Sequence, residues 1–185
     1  PIFLTSTDNT PYSSRTNRRM TTTAGYYTDL ITDFAIDWLQ ERDDDRPFFL
    51  MLRFVMQHQK APHGKWEPAK RHKSYLAGVK IPEPASLRED FRPRSPATRQ
   101  FGTSITNRLA GRRTMVGDVQ KPDWPAGSID LSGMNSQEQG RAAYQKYLHD
   151  YLACVKAVDE NVVRVLTWRV ESGLSDYTLV VYTAD

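Results

Sequence analysis

Residues 47–66 read PFFLMLRFVMQHQKAPHGKW, and this stretch decides how the rest of the chain is interpreted. The apolar run Phe48–Met56 lies between a proline and a polar cluster and is rich in aromatic and branched residues, which is typical of a buried strand. His58, Lys60 and His63 follow it directly. In open α/β sheets ligands collect beyond the carboxyl ends of the strands, so we expect chemistry at Lys-Ala-Pro-His.

A helix is predicted immediately before this strand. From Tyr27 to Leu39 apolar residues recur at helical spacing, with acidic residues on the other faces. Thr28 is the predicted N-cap, and the helix should end near Arg42, where three aspartates and Pro47 follow. Residues 1–24 are polar and are predicted to be loop, apart from a short strand at 2–4.

A second helix and strand are predicted at the other end of the chain. Apolar residues keep one face of a helix from Tyr144 to Val170 for more than six turns. Ser172 and Gly173 should end it, with Leu174 in the position of a Schellman motif. A strand is expected at Tyr177–Thr183. The order helix, strand, helix, strand predicts an α/β fold with a largely parallel sheet and helices on both faces.

The segment between these units, 67–140, is predicted to be a loop-rich insertion between core units at 25–66 and 141–185. Residues 64–139 hold seven of the 11 prolines, and 13 Lys or Arg against eight Asp or Glu. A loop of this length is usually functional or disordered. Its basic excess fits either a rim that attracts anionic substrates or a solvated insertion, and the sequence leaves both open.

Composition restricts the class of protein. The chain has 185 residues, is 39% hydrophobic and 25% charged, and carries a net charge of +3. These values are ordinary for one globular domain, and they predict neither a nucleic-acid partner nor a membrane span. The single cysteine, Cys154, excludes an internal disulfide and is expected to be a small buried apolar residue of the second helix.

Three residues are candidates for a site. Lys60 and His63 could together hold an anion such as sulfate or phosphate, or could belong to an ordinary surface turn. Asp185 lies at the carboxyl end of the second strand, where a carboxylate can bind a divalent cation, or could be a turn residue. We expect Asn161, with its acidic neighbours 159 and 160, to form a structural network. His72 and His149 lack supporting neighbours in the sequence.

Six segments, in order, resemble the sulfatase family of the alkaline-phosphatase-like superfamily. They are GYYTDLITDFAIDWL from residue 25, RPFFLML from 46, KAPHGKWEP from 60, IPEPASL from 81, YLACVKAVDENVVRVL from 151 and ESGLSDYTLVVYTAD from 171. The IPEP and KAPH-x-x-W stretches resemble a subgroup that contains mucin-desulfating and N-acetylglucosamine-6-sulfatase-like enzymes.

The resemblance implies roles for the candidate residues. His63 would contact the sulfate ester and protonate or orient the leaving group, and Lys60 would lie near the sulfate. Asp185 would match the first residue of a pair that ligates an active-site calcium. The expected reaction is hydrolysis of a sulfate ester on a small molecule or glycan, by attack of a hydrated formylglycine on sulfur beside a divalent cation.

Parts of the family pattern have no match in this chain. The C/S-x-P-x-R motif that gives rise to formylglycine is absent, and so is the first pair of metal aspartates. We therefore interpret the chain as an internal segment of a sulfatase catalytic domain that is inactive alone. Family members are commonly periplasmic, extracellular or lysosomal, and the resemblance implies such a compartment.

Two alternatives remain at this point. The first is a phosphoryl or phosphonate hydrolase of the same superfamily, which an upstream Thr or Ser nucleophile would indicate. The second is a non-catalytic domain that binds sulfated glycans through the basic insertion.

Overall fold

The computed structural model describes residues 3–5, 12–16, 19–23, 25–54, 58–59, 65–88, 92–97, 105 and 115–183. The chain divides into two compact units, one of Pro1–Met56 with Lys156–Asp185 and one of Gln57–Val155. The boundaries predicted for the loop-rich insertion, residues 67–140, are not tested by this division and remain a prediction. Among the described residues no helix is both long enough and apolar enough to cross a membrane.

The first unit begins with a three-stranded antiparallel sheet. Its strands are β1 (Phe3–Thr5), β2 (Tyr12–Thr16) and β3 (Arg19–Thr23), in that order across the sheet. The short predicted strand at 2–4 is thus shifted by one residue. The predicted loop is wrong for β2 and β3, because threonine and tyrosine favour strands even where no apolar alternation marks them.

Helix α1 runs from Tyr27 to Glu41 with Arg42 as its C-cap, so its predicted end is confirmed. The predicted cap at Thr28 is wrong. The N-cap is Tyr26, which makes no side-chain cap bond, while Thr28 is fully buried in the first turn. The carbonyl oxygen of Thr28 accepts a hydrogen bond from the hydroxyl of Thr32 at 3.1 Å, which places Thr28 inside the helix.

The longest element is helix α3, Ser136–Glu171, of 36 residues. It starts eight residues before the predicted apolar face, at a capping box. Asn135 Oδ1 accepts the backbone N–H groups of Gln137 and Glu138, and a Glu138 carboxylate oxygen accepts that of Asn135 at 2.9 Å. This reciprocal pair satisfies donors that a helix N-terminus otherwise leaves free.

The C-terminal end of α3 is the predicted Schellman motif. The N–H of Leu174 donates to the carbonyl of Arg169, and the N–H of Gly173 to that of Val170, both at 3.1 Å. Gly173 has φ +73°. A residue with a Cβ is strained in this left-handed region, so glycine allows the chain to leave the helix here.

Between Asp118 and Asp150 the second unit has its own core. Val119, Trp124, Leu131 and Ala143 form a buried cluster beside the short helix α2 (Met115–Asp118). The indole N–H of Trp124 donates to Asp150 at 2.6 Å, and Lys146 donates to the other carboxylate oxygen at 3.0 Å. This part of the predicted insertion is therefore packed against α3.

A buried network joins α1 and α3 in the first unit, as expected for a structural role of Asn161. Its amide nitrogen, on a fully buried side chain, donates to Asp29 at 2.7 Å and to the carbonyl of Ala157 at 2.8 Å. Arg164 donates to the amide oxygen of Asn161 at 2.9 Å and also to Asp33. All the polar atoms of the Asn161 side chain thus have partners.

The two predicted core strands are not confirmed. Residues 47–54 and 178–183 have no strand pairing. Large side chains in both segments are exposed, including 82% of Phe49 and 90% of Leu179, and Ser175–Tyr177 is a 3₁₀ turn. Among the described residues all strand pairs are antiparallel, so the parallel sheet is not confirmed. Within the described part of the chain, no paired strands flank these apolar runs to bury them on both faces.

Replacement of Asn161 by Ala should destabilise the first unit. The change removes the amide that donates to Asp29 and accepts from Arg164. The loss of these bonds should lower the free energy of unfolding by about 2 kcal/mol. Chemical denaturation measures the loss. Val163→Ala on the same helix is the control, since Val163 is 53% exposed, and should change stability by less than about 0.5 kcal/mol. Equal losses for both variants would contradict the role of the network.

Replacement of Gly173 by Ala should cost about 1 kcal/mol, because alanine is strained at positive φ. A Cβ at Gly173 meets nothing within 4 Å, so the cost is one of backbone conformation and not of packing. Gly117→Ala is the matched control, since this glycine lies in α2 and its Cβ also has open space. Thermal melts should show a lower Tm for Gly173→Ala but not for Gly117→Ala. An unchanged Tm of Gly173→Ala would show that alanine is not strained at this position.

The stability of the protein should depend on the ionisation of Asp150. Burial raises the pKa of its carboxyl above the ordinary aspartate value, and Trp124 and Lys146 offset this only in part. The folded protein therefore holds the Asp150 proton more tightly than the unfolded chain does. The stabilising contribution is complete below the ordinary pKa, near about 4, and is lost as pH rises through the raised folded value.

Urea unfolding of wild type and Asp150→Asn at several pH values from about 4 upward measures this effect. The wild type should lose free energy of unfolding relative to the variant as pH rises. Asp159→Asn removes an exposed carboxylate from the same helix and serves as the control. A difference between wild type and Asp150→Asn that does not vary with pH would show that the Asp150 carboxyl does not titrate differently on folding.

Candidate functional site

The apolar run ends at a short hairpin in the second unit. Strand β4 (His58–Gln59) pairs antiparallel with β5 (Lys65–Trp66), in the register His58 opposite Trp66 and Gln59 opposite Lys65. Lys60 and His63 fall between these strands in the sequence and lie outside the described residues. Both ends of the segment that carries the two candidate cations are thus held at neighbouring positions by backbone hydrogen bonds.

The predicted metal ligand, Asp185, also lies outside the described residues. Among those residues no group of three His, Cys, Asp or Glu side chains is placed to hold a metal ion. The structure therefore does not test whether His63 and Asp185 come together, and their roles stay a prediction.

Aromatic side chains fix the C-terminal end of the hairpin. The ring of Trp66 meets that of Tyr151 at a centroid distance of 4.9 Å and that of Tyr147 at 5.9 Å, both edge to face. The two tyrosines are four residues apart on α3 and so share one face of the helix. Edge-to-face pairs are a favourable arrangement for aromatic rings. The sequence marked both tyrosines as part of an apolar face but gave no sign of their partner.

The IPEP segment is held along the same helix by polar side chains. The amide of Gln145 bonds both the N–H and the carbonyl of Ile81, at 2.9 and 2.7 Å, as a neighbouring strand would. The hydroxyl of Tyr144 donates to the carbonyl of Pro82 at 2.7 Å. Nε2 of His149, which had no visible partner in the sequence, donates to the carbonyl of Val79 at 2.8 Å.

This segment borders an open hollow of about 300 Å³. Its lining residues are Lys80, Ile81, Pro82, Glu83 and Arg141. Arg141 faces Glu83 at 3.6 Å. Burial, and then the charge of Glu83, raise the pKa of the Tyr144 phenol, so this group stays protonated and acts as a donor. The lining of the hollow thus contains two cations, Lys80 and Arg141, and one carboxylate, Glu83.

Two other sequence expectations concern residues away from the hairpin. Cys154 is buried in α3 with 1% of its surface exposed, as expected for a small apolar residue. His72 is buried in the 3₁₀ turn Lys70–His72. Neither side chain belongs to the hollow.

Comparison with known proteins identifies the family. The family model described as Sulfatase matches residues 3–185. An N-acetylglucosamine-6-O-sulfatase of Bacteroides thetaiotaomicron is 37% identical over 189 aligned positions, which cover 87% of this chain and 33% of that protein. This chain therefore spans about a third of the length of that relative.

A solved structure of a protein in complex with its substrate D-glucosamine-2-N,6-O-disulfate is also similar. It superposes with a TM-score of 0.63 at 27% sequence identity, over 91% of this chain and 39% of that one. The family-model match includes residues 25–185, the stretch that holds the motifs of the sulfatase resemblance. The chain belongs to the sulfatase family.

Proposed function

We propose that this chain is part of the catalytic domain of a sulfatase that hydrolyses sulfate esters on carbohydrates. The match of the sulfatase family model to residues 3–185 carries the proposal. The substrate class rests on the N-acetylglucosamine-6-O-sulfatase relative and on the disulfated glucosamine bound in the similar solved structure. A sulfated monosaccharide or the end of a sulfated glycan is the substrate that both support.

The three candidate residues receive distinct roles in this proposal. His63 contacts the ester oxygen and gives it a proton as the S–O bond breaks, so that the sugar leaves as a neutral alcohol. Lys60 lies beside the sulfate and balances its negative charge. Asp185 supplies one carboxylate ligand to a divalent cation, such as calcium.

Two groups complete the proposed site. A bound cation would stabilise negative charge on the sulfate oxygens, and a formylglycine elsewhere in the polypeptide would supply the nucleophile. Asp185 is the residue of this chain that we assign to the cation. Among the described residues there is no group of three possible ligands.

The same reasoning extends to the sheet. We infer that segments 48–54 and 178–183 are strands of the largely parallel sheet of an alkaline-phosphatase-like fold. Both segments are near-continuous apolar runs with large exposed side chains, and such runs are typical of strands covered on both faces. His63 and Asp185 then follow the carboxyl ends of these two strands, where ligands of α/β sheets bind.

The alternatives have less support. The family model and both relatives concern sulfatases or a sulfated sugar, and none points to a phosphate or phosphonate ester. A non-catalytic glycan-binding domain would rest on the basic insertion alone. The sulfate ester hydrolase is therefore the preferred function.

The test is an assay of the full polypeptide that contains these residues, with N-acetylglucosamine-6-sulfate, an aryl sulfate and an aryl phosphate. We expect release of sulfate but not of phosphate. His63→Ala should lower kcat by about 10²- to 10⁴-fold, because a general acid contributes that much. His149→Ala is the control, since His149 holds Val79 and has no proposed role in the reaction.

Three results would contradict the proposal. Preferential hydrolysis of the phosphate would favour the related hydrolase. Turnover by the 185-residue chain alone would show that the nucleophile lies within it. Glycan affinity that survives His63→Ala but is lost when Arg92, Arg94, Arg112 and Arg113 are neutralised, without any hydrolysis, would indicate a binding domain.

A further inference from the structure

The hollow beside the IPEP segment lies within the second unit, and hydrogen bonds from α3 hold one of its walls in place. Gln145 binds both backbone polar groups of Ile81, and the hydroxyl of Tyr144 donates to the carbonyl of Pro82. Helix α3, which carries both of these side chains, also supplies Arg141 to the lining. Because this wall is already ordered, a ligand would lose little affinity to ordering it.

The two cations of the lining are only weakly paired. Lys80 is exposed and has no ion pair among the described residues. Nε of Arg141 lies 3.6 Å from a carboxylate oxygen of Glu83, whereas charge-assisted bonds of this kind measure about 2.7–2.9 Å. The side chain of Arg141 is 50% exposed, so its other N–H donors can reach a ligand. Both cations can therefore bind an anion in the hollow.

The remaining lining groups suit the uncharged part of a sugar. The carboxylate of Glu83 can accept hydrogen bonds from hydroxyl groups of a ligand. Ile81 is half-buried and Pro82 is exposed, and both offer apolar surface to the C–H groups of a sugar ring. The volume of about 300 Å³ is at the lower end of the range for small-molecule sites, so it suits one sugar unit.

We propose that this hollow binds one sulfated sugar unit: Lys80 and Arg141 hold the sulfate group, and Glu83 accepts hydrogen bonds from the sugar hydroxyls. An acidic peptide fits less well, because its carboxylates would be repelled by Glu83. The choice of a sulfated sugar among anionic ligands rests on the proposed function. The site itself consists of described residues and is independent of the roles proposed for the three candidate residues of the reaction.

The first test follows the δ1 methyl group of Ile81 by NMR in the full polypeptide that contains these residues. Its signal is assigned with Ile81→Val. Titration with D-glucosamine-2-N,6-O-disulfate should shift this signal. The methyl signal of Ile129, which packs against the core cluster of the same unit, should stay in place. N-acetylglucosamine, which carries no sulfate, should shift neither signal at the same concentrations.

The second test compares two double variants of equal net charge. Replacement of Lys80 and Arg141 by Ala should weaken the affinity reported by the Ile81 signal at least about tenfold, because charge-assisted hydrogen bonds to the sulfate are lost. Replacement of Lys70 and Arg46 by Ala removes two exposed cations that do not line the hollow. This control should change the affinity less than about twofold, since salt screens distant exposed charges.

Three results would overturn the sulfated-sugar site. In the first, the disulfated sugar leaves the Ile81 signal in place. In the second, inorganic sulfate or a glutamate peptide shifts this signal at lower concentrations than the sugar does, which makes the hollow a simple anion site or a peptide site. In the third, both double variants lose affinity equally, which makes the effect one of net charge. None of these measurements needs turnover, so failure of this site is distinguishable from failure of the proposed sulfatase activity.

Discussion

Helix α3 is one continuous helix, and packing against it is the interaction on which the described contacts within each unit depend. A capping box at Asn135 and a Schellman motif at Gly173 satisfy backbone groups at the two ends of this 36-residue helix. In one unit, its part of the helix brings Tyr147 and Tyr151 against Trp66. In the other unit, its part of the helix brings Asn161 against Asp29. Each unit is organised by the part of the helix that belongs to it.

Apart from Tyr144, the buried residues of this helix are small or polar. Ala153, Cys154, Ala157 and Asn161 are almost fully buried, whereas Val163 and Val170 are more than half exposed. Small side chains let another segment approach closely, and an asparagine whose polar atoms all have partners can be buried there without a large cost. The sequence pattern therefore located the helix correctly but overestimated how deeply its valines are buried.

Local signals predicted some features and missed others for physical reasons. The end of α1 and the Schellman motif depend on residues close in sequence, and both were predictable. The strands β2 and β3 were missed because their threonines and serines show no apolar alternation. The side-chain pattern predicts strands at Phe48–Met56 and Tyr177–Thr183, but a pattern specifies faces to be covered and does not specify which segments cover them. For the site, the pattern named His63, Lys60 and Asp185, and the described residues do not test them.

Residues that do chemistry and residues that hold them in place differ in how they can be found. An imidazole or a carboxylate after a strand is recognisable by its type, since few side chains transfer protons or bind cations near neutral pH. Gln145 and His149 instead bind backbone groups more than 60 residues away, and every residue offers such groups. No residue type or spacing identifies these pairs. The side chains that hold the hairpin and the IPEP segment on α3 could therefore be recognised only from their contacts.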